Sequence, residues 1–380
     1  MKMISYGRQS ITEEDISAVT NVLKSDYLTQ GPKVSEFENA ICAQTGAKYC
    51  VAVANGTAAL HIAVAVLNID KGFEGITTSI TFVASANCMR YNGLVPRFAD
   101  INDKTYNIDP SSISERINDK TRLLIPVHFA GQPADMVTIS ELAQQKGLYV
   151  IEDAAHAIGS QYADGSYVGN CKYSDMTTFS FHPVKTITTG EGGAITTNSK
   201  ELYGKLLLLR NHGITKDENI LTSNPGPWYY EMHELGFNYR MAEMQAALGI
   251  SQLSRLSEFK KRRREIVSFY NAAFAAIQWL ATPWEAQDIS SCFHLYVVKI
   301  NFEEIKRSRK QVMEYLFSKN VGTQVHYIPV TSFPYYQKFK VDACPQADRY
   351  YEQCLSIPLF PAMTDAEMMH VVEAINSLAL

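Results

Sequence analysis

The feature that most constrains this chain is a rhythm in its first half. From about residue 48 to 200, short apolar runs alternate with stretches of helical character. The runs fall near 48–54 (KYCVAVA), 76–80, 94–99, 122–128 (RLLIPVH), 148–152 (LYVIE), 176–181 and 193–197. Several are almost uninterrupted by polar residues, as strands covered on both faces must be. Helical crossovers let such strands run parallel, so the pattern predicts an α/β fold with a mostly parallel seven-stranded sheet. Upstream, Ser10 and Glu13 have capping-box spacing, and Ile16, Val19 and Leu23 then recur on one face, which predicts a first helix.

The rhythm changes after about 240. A long helix is expected from Met241 past Phe269, then an alternating strand over 293–300 (FHLYVVKI) and a helix near 309–319. A last helix opens at Thr364, with Glu367 three residues on, and should bury Met368, Val371, Val372 and Ile375. This reads as a smaller C-terminal α+β domain. We divide the chain into a large domain, 1–245, and a small one, 246–380.

Composition excludes several classes. Hydrophobic residues make up 46% and charged residues 19% of 380 residues, enough for a sizeable core in two domains. A net charge of −4 and a pI near 6.2 do not suit a nucleic-acid binder. The N-terminal MKMISYGRQS lacks a signal peptide's apolar stretch, and the run from Val51 to Leu67 is broken by Asn55, Gly56, Thr57 and His61. A cytoplasmic chain without a membrane span is expected. Seven cysteines without a CxxC pair read as reduced thiols, and nine histidines without HExxH read as no metal site. The charge run Lys260–Arg264 (KKRRR) fits a phosphate patch or the wet face of a helix, and its lack of aromatic or glycine partners favours the face.

Three segments carry candidate chemistry. Asn55-Gly56-Thr57-Ala58-Ala59 reads as a strand-to-helix turn, where free N–H groups suit an anion such as phosphate, though an ordinary capped helix reads the same way. IEDAAHAIGS (151–160) ends a strand in Glu152 and Asp153 and continues to His156. Ligands gather at the carboxyl ends of parallel strands, and a carboxylate buried there needs a cationic partner. Asp153 also fits a helix N-cap. FSFHPVKTITTGEGG (179–193) sets Lys185 behind Pro183 and before Gly190, Gly192 and Gly193, with Ser180 five residues upstream. A lysine kept from water becomes a nucleophilic amine, although a lone loop lysine is usually on the surface. The combination is more specific than its parts. A phosphate anchor, a strand-end acid and a framed lysine are what pyridoxal 5'-phosphate (PLP) requires. Phe82 in SITFVASAN could stack on its ring or be a core aromatic.

With these residues placed, the chain resembles the DegT/StrS family of PLP-dependent nucleotide-sugar aminotransferases, which have the aspartate-aminotransferase-like fold, fold type I. The matching motifs are LTQGP (28–32), NGTAAL (55–60), TFVASAN (81–87), HFAGQPADM (128–136), IEDAAHAIG (151–159), SFHPVK (180–185), TGEGG (189–193), RNHG (210–213) and GFNYRM (236–241). The resemblance implies that Lys185 forms the Schiff base with PLP and moves protons, and that Asp153 pairs with the pyridine nitrogen. It puts His156 near the ring hydroxyl, and Thr57, Ala58 and Ser180 at the phosphate. Asn238 would reach the phosphate of a neighbouring subunit, which implies a homodimer with shared sites. Tyr6, Thr29, Gln30, His326 and Tyr327 would lie near the sugar nucleotide. SFHPVK, LTQGP and TFVASANC look most like the branch that aminates C4 of a UDP-4-keto-6-deoxy-N-acetylhexosamine, with L-glutamate as donor, in pseudaminic acid synthesis. Alternatives are a GDP-4-keto-6-deoxyhexose such as GDP-4-keto-6-deoxymannose, a 3-keto sugar, or a PLP-binding protein without turnover. Relatives often read GDEVIT where this chain has GFEGIT (72–77), and Pro where Ser79 stands. Neither departure touches the cofactor set.

Overall fold

A computed structural model describes residues 2–339 and 341–379. The chain opens with α1 (Glu13–Leu23) and α2 (Pro32–Thr45). Strand and helix then alternate: β1 (Tyr49–Val53), α3 (Gly56–Ala65), β2 (Glu74–Thr78), α4 (Ala84–Tyr91), β3 (Val95–Ala99), α5 (Pro110–Arg116), β4 (Thr121–Ile125), α6 (Met136–Lys146) and β5 (Tyr149–Asp153). Next come β6 (Met176–Ser180), β7 (Gly193–Thr197), α7 (Lys200–Arg210), the short β8 (Ile214–Thr215) and β9 (Glu231–Met232), α8 (Glu243–Ser254) and α9 (Leu256–Phe274). The last part holds β10 (Leu280–Ala281), β11 (Tyr296–Ile300), α10 (Arg309–Ser318), α11 (Pro345–Gln353), β12 (Cys354–Ile357) and α12 (Asp365–Asn376).

All seven expected strands join one sheet in the order β1-β7-β6-β5-β4-β2-β3. Neighbours pair in parallel from β6 through β3, and β7 runs antiparallel to both β1 and β6. The strands feed two cores because side chains alternate between faces. Along β1, Cys50 and Ala52 enter the core with Phe37, Ile139 and Ala246, whereas Val51 and Val53 enter the core with Ile62, Leu123 and Leu206. Each fully buried Ile, Leu or Val there stabilises the fold by about 2 kcal/mol. This double covering explains the unbroken apolar runs. It leaves the carboxyl ends of β1, β5 and β6 along one rim, where the shared direction of these strands delivers Asn55, Asp153 and Ser180.

Several expectations need correction. The N-cap of helix α1 is Thr12, not Ser10, and its N–H donates to Asp15 at 3.0 Å where Glu13 was expected to close the box. Its Ile16 and Leu23 face outward, 49% and 57% exposed. The inward face is polar: Asp15 accepts hydrogen bonds from Ser251 (2.6 Å) and Gln252 (2.8 Å) and pairs with Arg255. That docking also explains why the long helix from 241 is two helices. Arg255, at φ −102° and ψ 7°, breaks it while its guanidinium reaches Asp15. The FHL part of FHLYVVKI is no strand, because Phe293 has φ +47° and the His294 N–H turns to the Ala130 carbonyl (2.8 Å). The last helix does form on its Thr364–Glu367 box.

The KKRRR run is neither a phosphate patch nor a wet face. Arg263 is fully buried and donates to the carbonyls of Phe293 (3.2 Å), His294 (3.1 Å) and Leu359 (3.0 Å). Lys260 donates to the Gly159 carbonyl at 2.8 Å, and Arg264 pairs with Glu285 at 2.7 Å. A buried cation needs such acceptors on every side, so the run ties the two parts of the molecule together. The cores part inside α9, past the 245/246 division expected from sequence. Phe259 packs with the large sheet, and Ile266 packs with the sheet β10-β11-β12, where Ile4 also lies.

Candidate active site

The carboxyl rim opens into a cavity of about 1130 Å³ whose wall includes Asp153, Ser180, Lys185, His156, Thr57 and Phe82. Asp153 ends β5 and is buried. Its Oδ2 accepts a hydrogen bond from Ser85 (2.7 Å), and its Oδ1 accepts one from the Ala155 N–H (3.1 Å). Its neighbour Glu152 points to the opposite side of the sheet, as strand alternation requires. There it accepts from Ser174 (2.5 Å), Thr177 (3.1 Å), His128 (2.8 Å) and Tyr162. The Ala134 N–H donates to His128 Nδ1 at 3.0 Å, so the neutral ring carries its proton on Nε2 and gives it to Glu152. Burial would raise Glu152, but these donors outweigh it and hold the carboxyl below its usual value.

At the head of α3, Asn55 caps the helix by accepting from the Ala58 N–H at 2.8 Å. Ala58 lines the cavity, but its N–H is therefore engaged. The N–H groups of Gly56 and Thr57 have no backbone acceptor among the described residues. Gly56 is required here, since a Cβ would lie 2.8 Å from the Cβ of Ser180. Together with the Thr57 and Ser180 hydroxyls this is a cradle for an anion.

The loop around Lys185 is closed by its own backbone. Phe181 and Gly192 bond at 2.9 Å, Thr189 donates to Phe181 at 3.0 Å, and Lys185 donates to His182 at 2.8 Å. Gly190 sits at φ +80°, and a Cβ on Gly192 would meet Thr189 Oγ1 at 2.1 Å. The glycines are thus what let the loop fold over the lysine. Burial lowers Lys185 to about 8, against the attraction of Asp153, which raises it.

The C-terminal part of the chain supplies the facing wall with His294, His326 and Tyr327, joined by Tyr6. His156 Nδ1 accepts from the Ala130 N–H (3.3 Å), so its Nε2 carries the proton toward Tyr327 Oη at 3.0 Å. The Tyr327 hydroxyl proton is then free for a ligand. His294 lies against His156, with ring centroids 4.4 Å apart and planes tilted by 40°. Burial, followed by nearby positive charge, holds His156 and His294 far below the usual histidine value, and His326 at about 3. Phe82 is 58% exposed on the cavity wall, its ring 6.4 Å from that of Tyr327. Sequence reasoning missed His294, Ser85 and an aromatic cluster of His61, Tyr91, Phe237 and Tyr239 on the same wall. The four-residue spacing of Thr81 and Ser85 was a usable signal; His294 sits in a segment that reads as strand. Thr29, Gln30 and Asn238 do not line this cavity, although Phe237 and Tyr239, the neighbours of Asn238, do.

These parts fit PLP: a cradle that a Cβ would fill, a buried strand-end carboxylate and a lysine held near 8 share one cavity. The class this defines is a PLP-dependent transferase of fold type I. A profile of the DegT/DnrJ/EryC1/StrS aminotransferase family matches residues 9–376, and the chain belongs to that family. It is 41% identical over 379 residues to the spore coat polysaccharide biosynthesis protein SpsC of Bacillus subtilis, covering 99% of this chain and 97% of SpsC. Among solved structures it is similar to Helicobacter pylori PseC, an aminotransferase involved in the biosynthesis of pseudoaminic acid, with TM-score 0.93, 30% identity and 99% of each chain covered. The PLP-form of the putative sugar aminotransferase Spr1654 from Streptococcus pneumoniae superposes with TM-score 0.91 at 28% identity, over 99% of this chain and 98% of that one. The cofactor is pyridoxal phosphate.

Proposed function

We propose that this chain is a nucleotide-sugar aminotransferase that moves an amino group from L-glutamate to C4 of a UDP-4-keto-6-deoxy-N-acetylhexosamine. It would act in the cytoplasm as a homodimer in nonulosonic (pseudaminic) acid biosynthesis. One observation carries the reading: Asp153, Lys185 and the N–H end of α3 line a single cavity. The likeness to PseC supports the choice of sugar, and the likeness to SpsC supports a role in building surface polysaccharide.

When bound, PLP supplies an aldehyde carbon that takes amines and a ring that withdraws electrons. The chain's residues do the rest. Asp153 holds a proton on the ring nitrogen. Thr57 and Ser180, with the N–H groups of Gly56 and Thr57, hold the phosphate, and Ala58 packs beside them. Phe82 would pack against the ring, and His156 would face the ring hydroxyl. Lys185 Nζ anchors the cofactor at rest. Once released, it takes the proton from the α-carbon of glutamate, and later delivers one to C4 of the sugar. An amine poised near 8 can both accept and return a proton close to neutral pH. Tyr6, His326 and Tyr327 face the sugar as neutral groups. Thr29, Gln30 and Asn238 serve the cavity of the partner subunit.

The test is spectroscopic. PLP-loaded protein should lose its visible band on adding L-glutamate and regain it with the UDP-4-keto sugar. Lys185→Ala should show neither change, since one substitution removes both nucleophile and base. Near-normal turnover by that variant would sink the role given to Lys185. Recovery with a GDP-linked or 3-keto sugar in place of the UDP-4-keto sugar would replace the substrate and leave the machinery standing.

A further inference from the structure

We propose that Ser85, backed by Thr81, is a positioning residue that fixes the Asp153 carboxylate and keeps the proton of the catalytic ion pair on the cofactor's ring nitrogen. The inference rests on the aminotransferase reading of the cavity. Its basis is a chain of short hydrogen bonds between fully buried groups. Thr81 Oγ1 lies 2.7 Å from Ser85 Oγ, and Ser85 Oγ lies 2.7 Å from Asp153 Oδ2. Thr81 and Ser85 are 2% and 0% exposed.

The direction of the chain follows from proton counting. Ser85 has one hydroxyl proton, and an ionised carboxylate can only accept. That proton therefore goes to Asp153, and Thr81 must give its own to Ser85. The Phe82 carbonyl, 3.3 Å from Ser85 Oγ, is then left as the weaker acceptor. With the Ala155 N–H on Oδ1, each carboxylate oxygen has a fixed donor and keeps a lone pair for the cavity. The two donors hold the carboxylate against rotation. α4 carries Ser85 on its first turn, so the helix sets the position of the acid on a strand 68 residues later.

The consequence is chemical. A carboxylate that accepts two hydrogen bonds holds a shared proton less tightly, so the proton stays on the ring nitrogen. A protonated nitrogen withdraws electrons and lowers the proton affinity of the amine bonded at the aldehyde carbon. Without Ser85 the proton shifts toward Asp153, and that amine keeps its own proton to higher pH. The other titratable groups facing Asp153 do not blur this effect. Burial above all keeps Cys88 on α4 and the Tyr327 phenol protonated, and His156 is neutral. Lys185 is the group bonded to the cofactor in the proposed resting state. Glu152 and His128 lie across the sheet.

The experiment uses PLP-loaded protein without substrate and follows the pH midpoint of its visible absorbance. Ser85→Ala should raise the midpoint by about half to one pH unit, a roughly 3- to 10-fold change in proton affinity. Thr81→Val, which keeps volume and removes the hydroxyl, should raise it by less. Ser85→Thr should restore the wild-type midpoint. PLP retention with an unmoved midpoint in Ser85→Ala overturns the proposal. If Ser85→Ala does not hold PLP, an unmoved midpoint in Thr81→Val overturns it instead. The measurement needs no amino donor. Wild-type protein that ignores L-glutamate would therefore refute the donor assignment, while the midpoints still judge the role of Ser85.

Discussion

Lys185 carries the amine on the cavity wall. Burial brings it to about 8 from an ordinary 10.5. Only the neutral amine attacks an aldehyde, so uptake of PLP by apo-protein should accelerate with pH and level off above about 8. Stopped-flow absorbance after mixing with PLP checks this, and a rate still climbing steeply past pH 10 contradicts it. Lys185 and Asp153 were legible because each stands in a local frame, glycines and proline for one, a strand end for the other. Their partners were less legible. Ser85 meets Asp153 across 68 residues, a pairing that only the fold creates. His294 was hidden because FHLYVVKI alternates like a strand, while the positive φ of Phe293 turns the chain before the strand begins.

Elements show the same division between local and distant causes. The seven strands could be read because burial on both faces keeps most of their positions apolar or threonine. The break between α8 and α9 could not, since neither Pro nor Gly marks it and Asp15 on α1 supplies the partner of Arg255. Strand β5 carries the two acids side by side, and they divide their work by face. Glu152 is the structural one. Its folded value is depressed, so its contribution to stability is complete above the unfolded carboxyl range near ~4 and vanishes as pH falls through the folded value. Glu152→Gln should lower unfolding free energy by about 2–4 kcal/mol at neutral pH, because buried donors lose their anionic acceptor. It should also flatten the acid limb of stability against pH. Urea unfolding at several pH values measures both, and an unchanged acid limb would remove Glu152 from that role.

At the scale of the whole molecule, the proposed homodimer would cover apolar side chains that a single chain leaves exposed. Ile16, Leu23 and Leu28 are about half exposed, and Trp228, Met232 and Leu235 are 70%, 64% and 81% exposed. In the proposed homodimer, Thr29, Gln30 and Asn238 find their use in the partner's cavity. Leu235→Asp should shift the sedimentation profile toward monomer and weaken PLP retention at low protein concentration. A dimer of wild-type strength, with PLP held as before, would place the contact elsewhere. The change in rhythm near 240 was legible. The parting of the two hydrophobic cores inside α9 was not, because one continuous helix serves both, with Phe259 in one and Ile266 in the other.

The imidazoles on the cavity wall have one more consequence. Histidines normally make a protein responsive to mild acid, since each gains a charge near pH 6.5. His156, His294 and His326 are all held well below that point. Acidification from pH 7.5 to 5.5 therefore leaves their charge unchanged. These three rings are polar but electrically silent across that range, and add no positive charge beside the cofactor's phosphate.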